Sequence, residues 1–71
     1  MYKVRYKIDG KLHRTDGPAY MKFGHHAVEA WYLNGKCIGK YFPNSPTTST
    51  FSQEKFDQYL YVLNKGLFAF L

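Results

Sequence analysis

The sequence Leu12-His13-Arg14-Thr15-Asp16-Gly17-Pro18-Ala19 lies between two turn dipeptides, Asp9-Gly10 and Asn34-Gly35, and predicts how the chain folds around it. Asp-Gly and Asn-Gly favour two-residue type I′ hairpin turns, because both central residues of such a turn need positive φ. The stretch itself indicates a further turn, in which Gly17 is free to take positive φ and Pro18 begins the next strand. We therefore predict successive β-hairpins joined by a bend.

The segments around these turns alternate as β-strands do. In residues 2–8, Tyr2, Val4, Tyr6 and Ile8 share one face, and a row of cations occupies the other. This is the period of a half-buried strand, and residues 11–13 are expected to run back beside it. Residues 19–23, 27–33 and 36–41 are predicted as further strands. Within residues 27–33 the alternation is imperfect, because Glu29 falls on the face of Trp31, which a β-bulge or an exposed edge would resolve.

The two turns belong to an internal repeat. The segment Tyr6-Lys7-Ile8-Asp9-Gly10-Lys11-Leu12 aligns with Trp31-Tyr32-Leu33-Asn34-Gly35-Lys36-Cys37, and Pro18 aligns with Pro43 in the same register. Aromatic residues, aliphatic residues and turns fall on their counterparts. The first two thirds of the chain are thus predicted to be two related hairpin units.

The period changes after residues 42–50, a predicted linker of Pro, Ser, Thr and Asn. Ser52 is a predicted N-cap, and Phe51 and Phe56 occupy the two positions of a hydrophobic staple. Phe56, Tyr59, Leu60 and Leu63 follow as the stripe of an amphipathic helix that ends near Lys65-Gly66. The predicted fold is α+β in one domain, residues 1–71: a twisted antiparallel β-meander of about four to five strands in residues 1–41, the linker 42–50, one C-terminal α-helix in 51–65, and an apolar tail in 66–71.

Composition narrows the class of protein. The chain has 71 residues, 45% hydrophobic and 20% aromatic, which suits one small globular domain. The net charge is +5, and residues 1–40 carry all of the excess, with eight Lys or Arg against three Asp or Glu. A basic surface favours acidic partners. The single cysteine and the lack of a secretory or membrane-spanning segment predict a cytoplasmic protein without a membrane partner.

The motif LHRTDGPA at residues 12–19, the motif WYLNGK at 31–36 and the helix start FSQEKF at 51–56 together resemble small proteins of tailed bacteriophages with MORN-like hairpin repeats. Their pattern is LHRxDGPA followed by WYxNGKxHR, often with a short terminal helix. The resemblance covers most of residues 6–60 and implies a twisted β-meander and a phage origin, in which small basic proteins often redirect host proteins. The second copy departs from the pattern at residues 37–40, so we expect the repeat array to end there, capped by the helix.

Catalytic and metal sites are not predicted. His13, His25 and His26 with Cys37 show no spacing of a structural zinc site. Cys37 with His13 is the one pair that resembles a nucleophile with its base, but the repeat places Cys37 at the position of Leu12, which predicts an apolar, core-facing role. We expect no enzyme activity and no cofactor. Arg14 and Asp16 are expected to hold their own turn by side-chain hydrogen bonds.

The basic and aromatic residues of the first two hairpins are the predicted binding surface. The candidate partner-binding residues are Lys3, Arg5, Lys7, Lys11, Arg14, Tyr20, Lys22 and Tyr32. Two purely structural alternatives stay open. The cations could be a solvated strand face that prevents aggregation through the sheet edge, and the aromatic residues could fill the core. The leading hypothesis is a non-catalytic phage module that binds and inhibits or redirects a bacterial host protein, such as a defence component. The rival is single-stranded RNA or DNA binding. We expect a monomer or a small homo-oligomer joined by residues 67–71.

Overall fold

The computed structural model describes residues 2–45 and 51–65, which form an α+β fold. The elements in chain order are β1 (Tyr2–Arg5), β2 (Lys7–Ile8), β3 (Lys11–Leu12), β4 (Tyr20–Phe23), β5 (Val28–Leu33), β6 (Lys36–Tyr41) and α1 (Gln53–Asn64). A four-stranded antiparallel sheet has the order β1-β4-β5-β6, and β2 pairs with β3 in a second, two-stranded sheet. This confirms the predicted strand meander with one C-terminal helix. The predicted residues 46–50 of the linker and the tail 66–71 lie outside the described residues.

The predicted first strand is divided between the two sheets at Tyr6. Its N–H donates to the carbonyl oxygen of Ala19, 2.8 Å away, and its carbonyl oxygen accepts from the N–H of His13 at 3.0 Å. Residues 2–8 thus form one side of a long hairpin, whose other side is interrupted by residues 14–18. This interruption is why the described chain has six short strands where four or five were predicted.

Both dipeptide turns have the predicted backbone. Asp9 and Gly10 have φ of 53° and 79°, and Asn34 and Gly35 have φ of 52° and 83°, as type I′ turns require. The second turn contacts β3 of the first hairpin, because the N–H of Gly35 donates to the carbonyl oxygen of Leu12 at 2.8 Å. The two repeat units therefore lie side by side.

Gly17 does not have positive φ, so the predicted reason for this glycine is wrong. Gly17 is buried beneath the Arg14 guanidinium, and a Cβ built on it would lie 2.7 Å from Arg14 Cζ. The missing side chain leaves room for that arginine.

The core is built from three aromatic rings where α1 begins. Trp31 is 2% exposed and Phe56 is fully buried, and the Phe51 ring lies 5.1 Å from the first and 6.4 Å from the second, measured between ring centroids. Ser52 is the N-cap and accepts from the N–H of Lys55, which confirms the predicted cap and staple. Burial of a Phe side chain contributes roughly 1.5–3 kcal/mol. These rings attach the helix to β5.

Residues far from these rings are less covered than the alternation predicts. Tyr2, Tyr6 and Ile8 are 65%, 41% and 57% exposed, so their predicted half-buried face is open in the described part of the chain, apart from Val4. The described helix contacts Trp31 in β5 through Phe56 and Gln53. Burial also falls along the helix stripe: Tyr59 and Leu60 are half-buried and Leu63 is exposed.

Candidate partner-binding site

Strand register gathers most of the predicted binding residues on the sheet face opposite α1. Lys3 lies directly across from Lys22, and Arg5 from Tyr20. Directly opposite residues share a face, and side chains alternate along a strand, so the contacts of Trp31 with the helix place these residues on the face that the described helix does not cover. We call it the basic face; its residues are Lys3, Arg5, Tyr20, Lys22, Val28, Ala30, Tyr32, Cys37 and Lys40.

The cations of the basic face repel one another. The hydrogen bond from Tyr6 to Ala19 makes that pair a hydrogen-bonded one, so Lys3 and Lys22 form a non-hydrogen-bonded pair, the kind whose side chains lie closest. Like charges directly opposite each other destabilise a sheet. Within residues 2–45 and 51–65, neither lysine nor Arg5 forms an ion pair. Lys3, Lys22 and Arg5 thus place three positive charges close together with no ion-pair partner among the described residues.

Two tyrosines lie among these cations. The Arg5 guanidinium carbon lies 5.5 Å from the centroid of the Tyr20 ring, within the range of a cation–π contact. Tyr32 is half-buried, and desolvation, with smaller contributions from neighbouring Cys37 and Tyr20, raises the pKa of its phenol above 10.0. The phenol therefore stays protonated at neutral pH. Ala30 is 1% exposed between its opposite neighbours Tyr20 and Lys40, so the middle of the face is closely packed.

Arg14 does not belong to the basic face. Its guanidinium lies 4.0 Å from the centroid of the Tyr6 ring, its Nε donates to Asp16 at 2.9 Å, and its Nη1 donates to the Pro18 carbonyl oxygen at 3.2 Å. This confirms that Arg14 and Asp16 hold their own turn. The hydrogen bond from Arg14 is the main reason that the pKa of Asp16 lies below its ordinary value of 3.8.

The remaining predicted cations, Lys7 and Lys11, lie in the two-stranded sheet and are exposed. The Lys7 side chain continues the row of Lys3 and Arg5, because all three occupy alternate positions of one extended segment. Lys40 on the basic face was missed by the sequence reasoning. The Asn34-Gly35 turn alone does not identify its neighbours, because the pairing of β5 with β6 shifts register between Trp31 and Tyr32.

The same irregularity overturns the prediction for Cys37. A β-bulge at Ile38 pairs Cys37 with Tyr32, and the thiol is exposed rather than core-facing. Its Sγ lies 3.9 Å from the carbonyl oxygen of Gly39, whereas His13 Nδ1 accepts from the Asn34 N–H at 3.0 Å. His13 and Cys37 therefore make separate contacts.

An open groove of about 520 Å³ lies on the helix side of the sheet. Trp31 and Phe51 form its apolar wall, and Glu29 and Asp16 add carboxylates. Neither the bulge nor the exposed edge expected at Glu29 is found: β5 lies between two strands, the bulge is at Ile38 in β6, and Glu29 stays half-buried on the helix side with Trp31. Gln53 crosses the groove: its Oε1 accepts from Trp31 Nε1 at 2.7 Å, and its Nε2 donates to Asp57 at 2.8 Å. This link between the sheet and the helix was not apparent from sequence.

Two further features of the described residues concern metal binding and membrane crossing. Residues 2–45 and 51–65 contain no group of three or more His, Cys, Asp or Glu side chains placed to hold a metal ion. His25 and His26 lie exposed after β4, where the Asn44 side-chain amide donates to the carbonyl oxygens of Gly24 and His25. The described helix is too short and too polar to cross a membrane.

Comparison with protein-family models, with curated proteins and with solved structures finds no match to this chain. The likeness to MORN-like phage repeats is thus a prediction from the sequence motifs alone.

Proposed function

We propose that this chain is a non-catalytic, phage-encoded protein-binding module that uses its basic face to bind a bacterial host protein and inhibit or redirect it in the cytoplasm. The observation that carries the proposal is the cross-strand pair Lys3–Lys22 beside Arg5, with no ion-pair partner among the described residues. An acidic protein surface would supply the missing counter-charge and relieve the repulsion between the two strands.

The tyrosines favour a protein partner. Tyrosine and arginine are enriched among the residues that dominate binding energy at protein interfaces, and Tyr20, Tyr32 and Arg5 lie together on this face. Ala30 lies closely packed between them, so the backbone under these side chains is held in place. A preorganised face of this kind loses little conformational entropy on binding.

Capture from a nuclease-treated bacterial lysate tests the proposal. The face variant carries Lys3→Glu with Lys22→Glu, which keeps two like charges opposite each other but reverses their sign. The control carries Lys36→Glu with Lys55→Glu, two exposed lysines away from the basic face, and changes the net charge equally. We expect a defined protein to be captured by the native chain and the control and lost from the face variant. Equal capture by all three chains, or no captured protein, would contradict the proposal.

Single-stranded RNA or DNA binding is the second candidate, favoured by the placement of Arg5 beside the Tyr20 ring. Such sites combine cations with aromatic stacking surfaces. This function predicts binding to oligo(dT) or oligo(U) that weakens steeply with salt and is lost in the face variant. Salt-insensitive capture of a protein after nuclease treatment would count against it. A light-scattering mass separates the monomer from a homo-oligomer.

A further inference from the structure

The outer edge of the long hairpin has backbone groups that pair with no strand among residues 2–45 and 51–65. β1 ends the four-stranded sheet, and Tyr6 directs both its N–H and its carbonyl oxygen inward, to Ala19 and His13. Because strand residues alternate, Lys3, Arg5 and Lys7 direct their N–H and C=O groups outward. Among the described residues no strand pairs with this side. We call the outward backbone of residues 2–8 the free edge; Lys3 to Lys7 spans about 13 Å at ~3.3 Å per residue.

The side chains along the free edge have two different chemistries. Lys3, Arg5 and Lys7 are exposed cations on one side of the strand, and Tyr2, Tyr6 and Ile8 are exposed apolar or aromatic residues on the other. A strand added here would place its own side chains alternately beside these two rows. Acidic residues would meet the cations, and apolar residues would cover the exposed rings and Ile8.

We propose that the free edge binds an extended segment of the partner protein with alternating acidic and apolar residues, which adds to the sheet as a further strand. The inference rests on the proposed function and names the chemistry of the partner. Backbone hydrogen bonds to Lys3, Arg5 and Lys7 supply part of the affinity, and the two side-chain rows select the sequence.

The same charges reject a second copy of this chain. Two free edges paired with each other would place cations beside cations, a recognised way in which natural sheets avoid self-association. The other edge of the sheet, β6, is a poorer acceptor, because the bulge at Ile38 interrupts its pairing geometry. The charges of the free edge therefore favour pairing with an acidic strand over pairing with the free edge of a second copy of the chain.

A synthetic peptide, fluorescein-Glu-Val-Glu-Val-Glu-Val-Glu-amide, is the probe, with fluorescence anisotropy as the measurement. Two matched peptides carry N-methyl groups on the last three glutamates in one case and on the three valines in the other. For antiparallel addition the residues opposite Lys3, Arg5 and Lys7 donate to the edge, so glutamate methylation should weaken binding at least about tenfold, as the loss of several hydrogen bonds predicts. Valine methylation should change it little; the reverse pattern indicates parallel addition.

Amide hydrogen exchange of the full chain gives an independent measurement. Bound peptide should slow exchange at Lys3, Arg5 and Lys7 severalfold and leave the inward amide of Val4 nearly unchanged. Strand addition would be overturned if both methylated peptides bound as tightly as the unmethylated one and if bound peptide slowed exchange at none of the three amides. No peptide binding, together with face-dependent capture of a host protein, would also overturn it while leaving the proposed function intact. Preference for oligo(dT) or oligo(U) over the peptide would count against both.

Discussion

Replacing Gly39 by alanine adds one methyl group between β6 and the ring of Phe51. A Cβ at this position would lie 2.5 Å from Cγ and from Cδ1 of that ring, and 2.7 Å from Cε1. Carbon atoms in favourable contact are about 3.5–4.0 Å apart, so the ring would have to move by roughly 1 Å. Trp31 and Phe56 pack against the same ring and resist that movement.

The expected cost is about 1–3 kcal/mol in the free energy of unfolding, the usual range for overpacking. For a domain of this size, each 1 kcal/mol lowers Tm by roughly 4–8 °C. The φ of Gly39 is not in the left-handed region, and alanine is otherwise favoured over glycine in a strand by about 0.5–1 kcal/mol. Any loss of stability would therefore come from the clash.

Urea unfolding followed by fluorescence of Trp31, the single tryptophan, measures the effect beside the perturbed ring. The control is the same substitution in a Phe51→Ala background, where the methyl group has no ring to meet. There Gly39→Ala should be neutral or stabilising, giving a coupling energy of about 1–3 kcal/mol. Equal costs in the two backgrounds would refute the packing of Gly39 against Phe51.

Three further predictions follow from single contacts. Gln53→Ala leaves the indole N–H of Trp31 without its acceptor and should cost about 1–3 kcal/mol in urea unfolding, and an unchanged midpoint would contradict this hydrogen bond. Because Arg14 lowers the pKa of Asp16, this carboxylate contributes stability above pH 3.8 that is lost as pH falls through its folded pKa. Asp16→Asn should therefore flatten the acid side of the Tm profile, and an unchanged profile would contradict this. Lys3→Glu alone should raise stability by about 0.2–1 kcal/mol by pairing with the lysine opposite, a gain that 1 M salt removes, while partner binding falls.

Local features of the fold were predictable because neighbouring residues determine them. Positive φ at Asp9-Gly10 and Asn34-Gly35 follows from the conformations those residue types tolerate, and the cap at Ser52 follows from hydrogen bonds within one turn of helix. The alternation of Lys3 with its neighbours likewise predicted which side chains share a face.

Long-range placement was not predictable from the same rules. Gly17 was assigned a turn role, but its neighbour is the Arg14 guanidinium; Cys37 was assigned to the core, but a bulge turned it to the exposed face. The exposure of Cys37 depends on the register of β5 with β6, and the Arg14 side chain that covers Gly17 also packs on the ring of Tyr6, so neither follows from local propensity alone.

The sequence by itself determined two type I′ hairpins, a capped amphipathic helix and a row of cations alternating with apolar residues, since each arises from interactions only a few residues apart. Only the tertiary structure decided that Lys3 lies opposite Lys22 and that the row forms the edge of the sheet. The physical reason is strand order: the first strand pairs with β4 on one side, and no described strand pairs with the other. Because the first strand lies at the edge of the sheet, its alternating side chains form a candidate binding site.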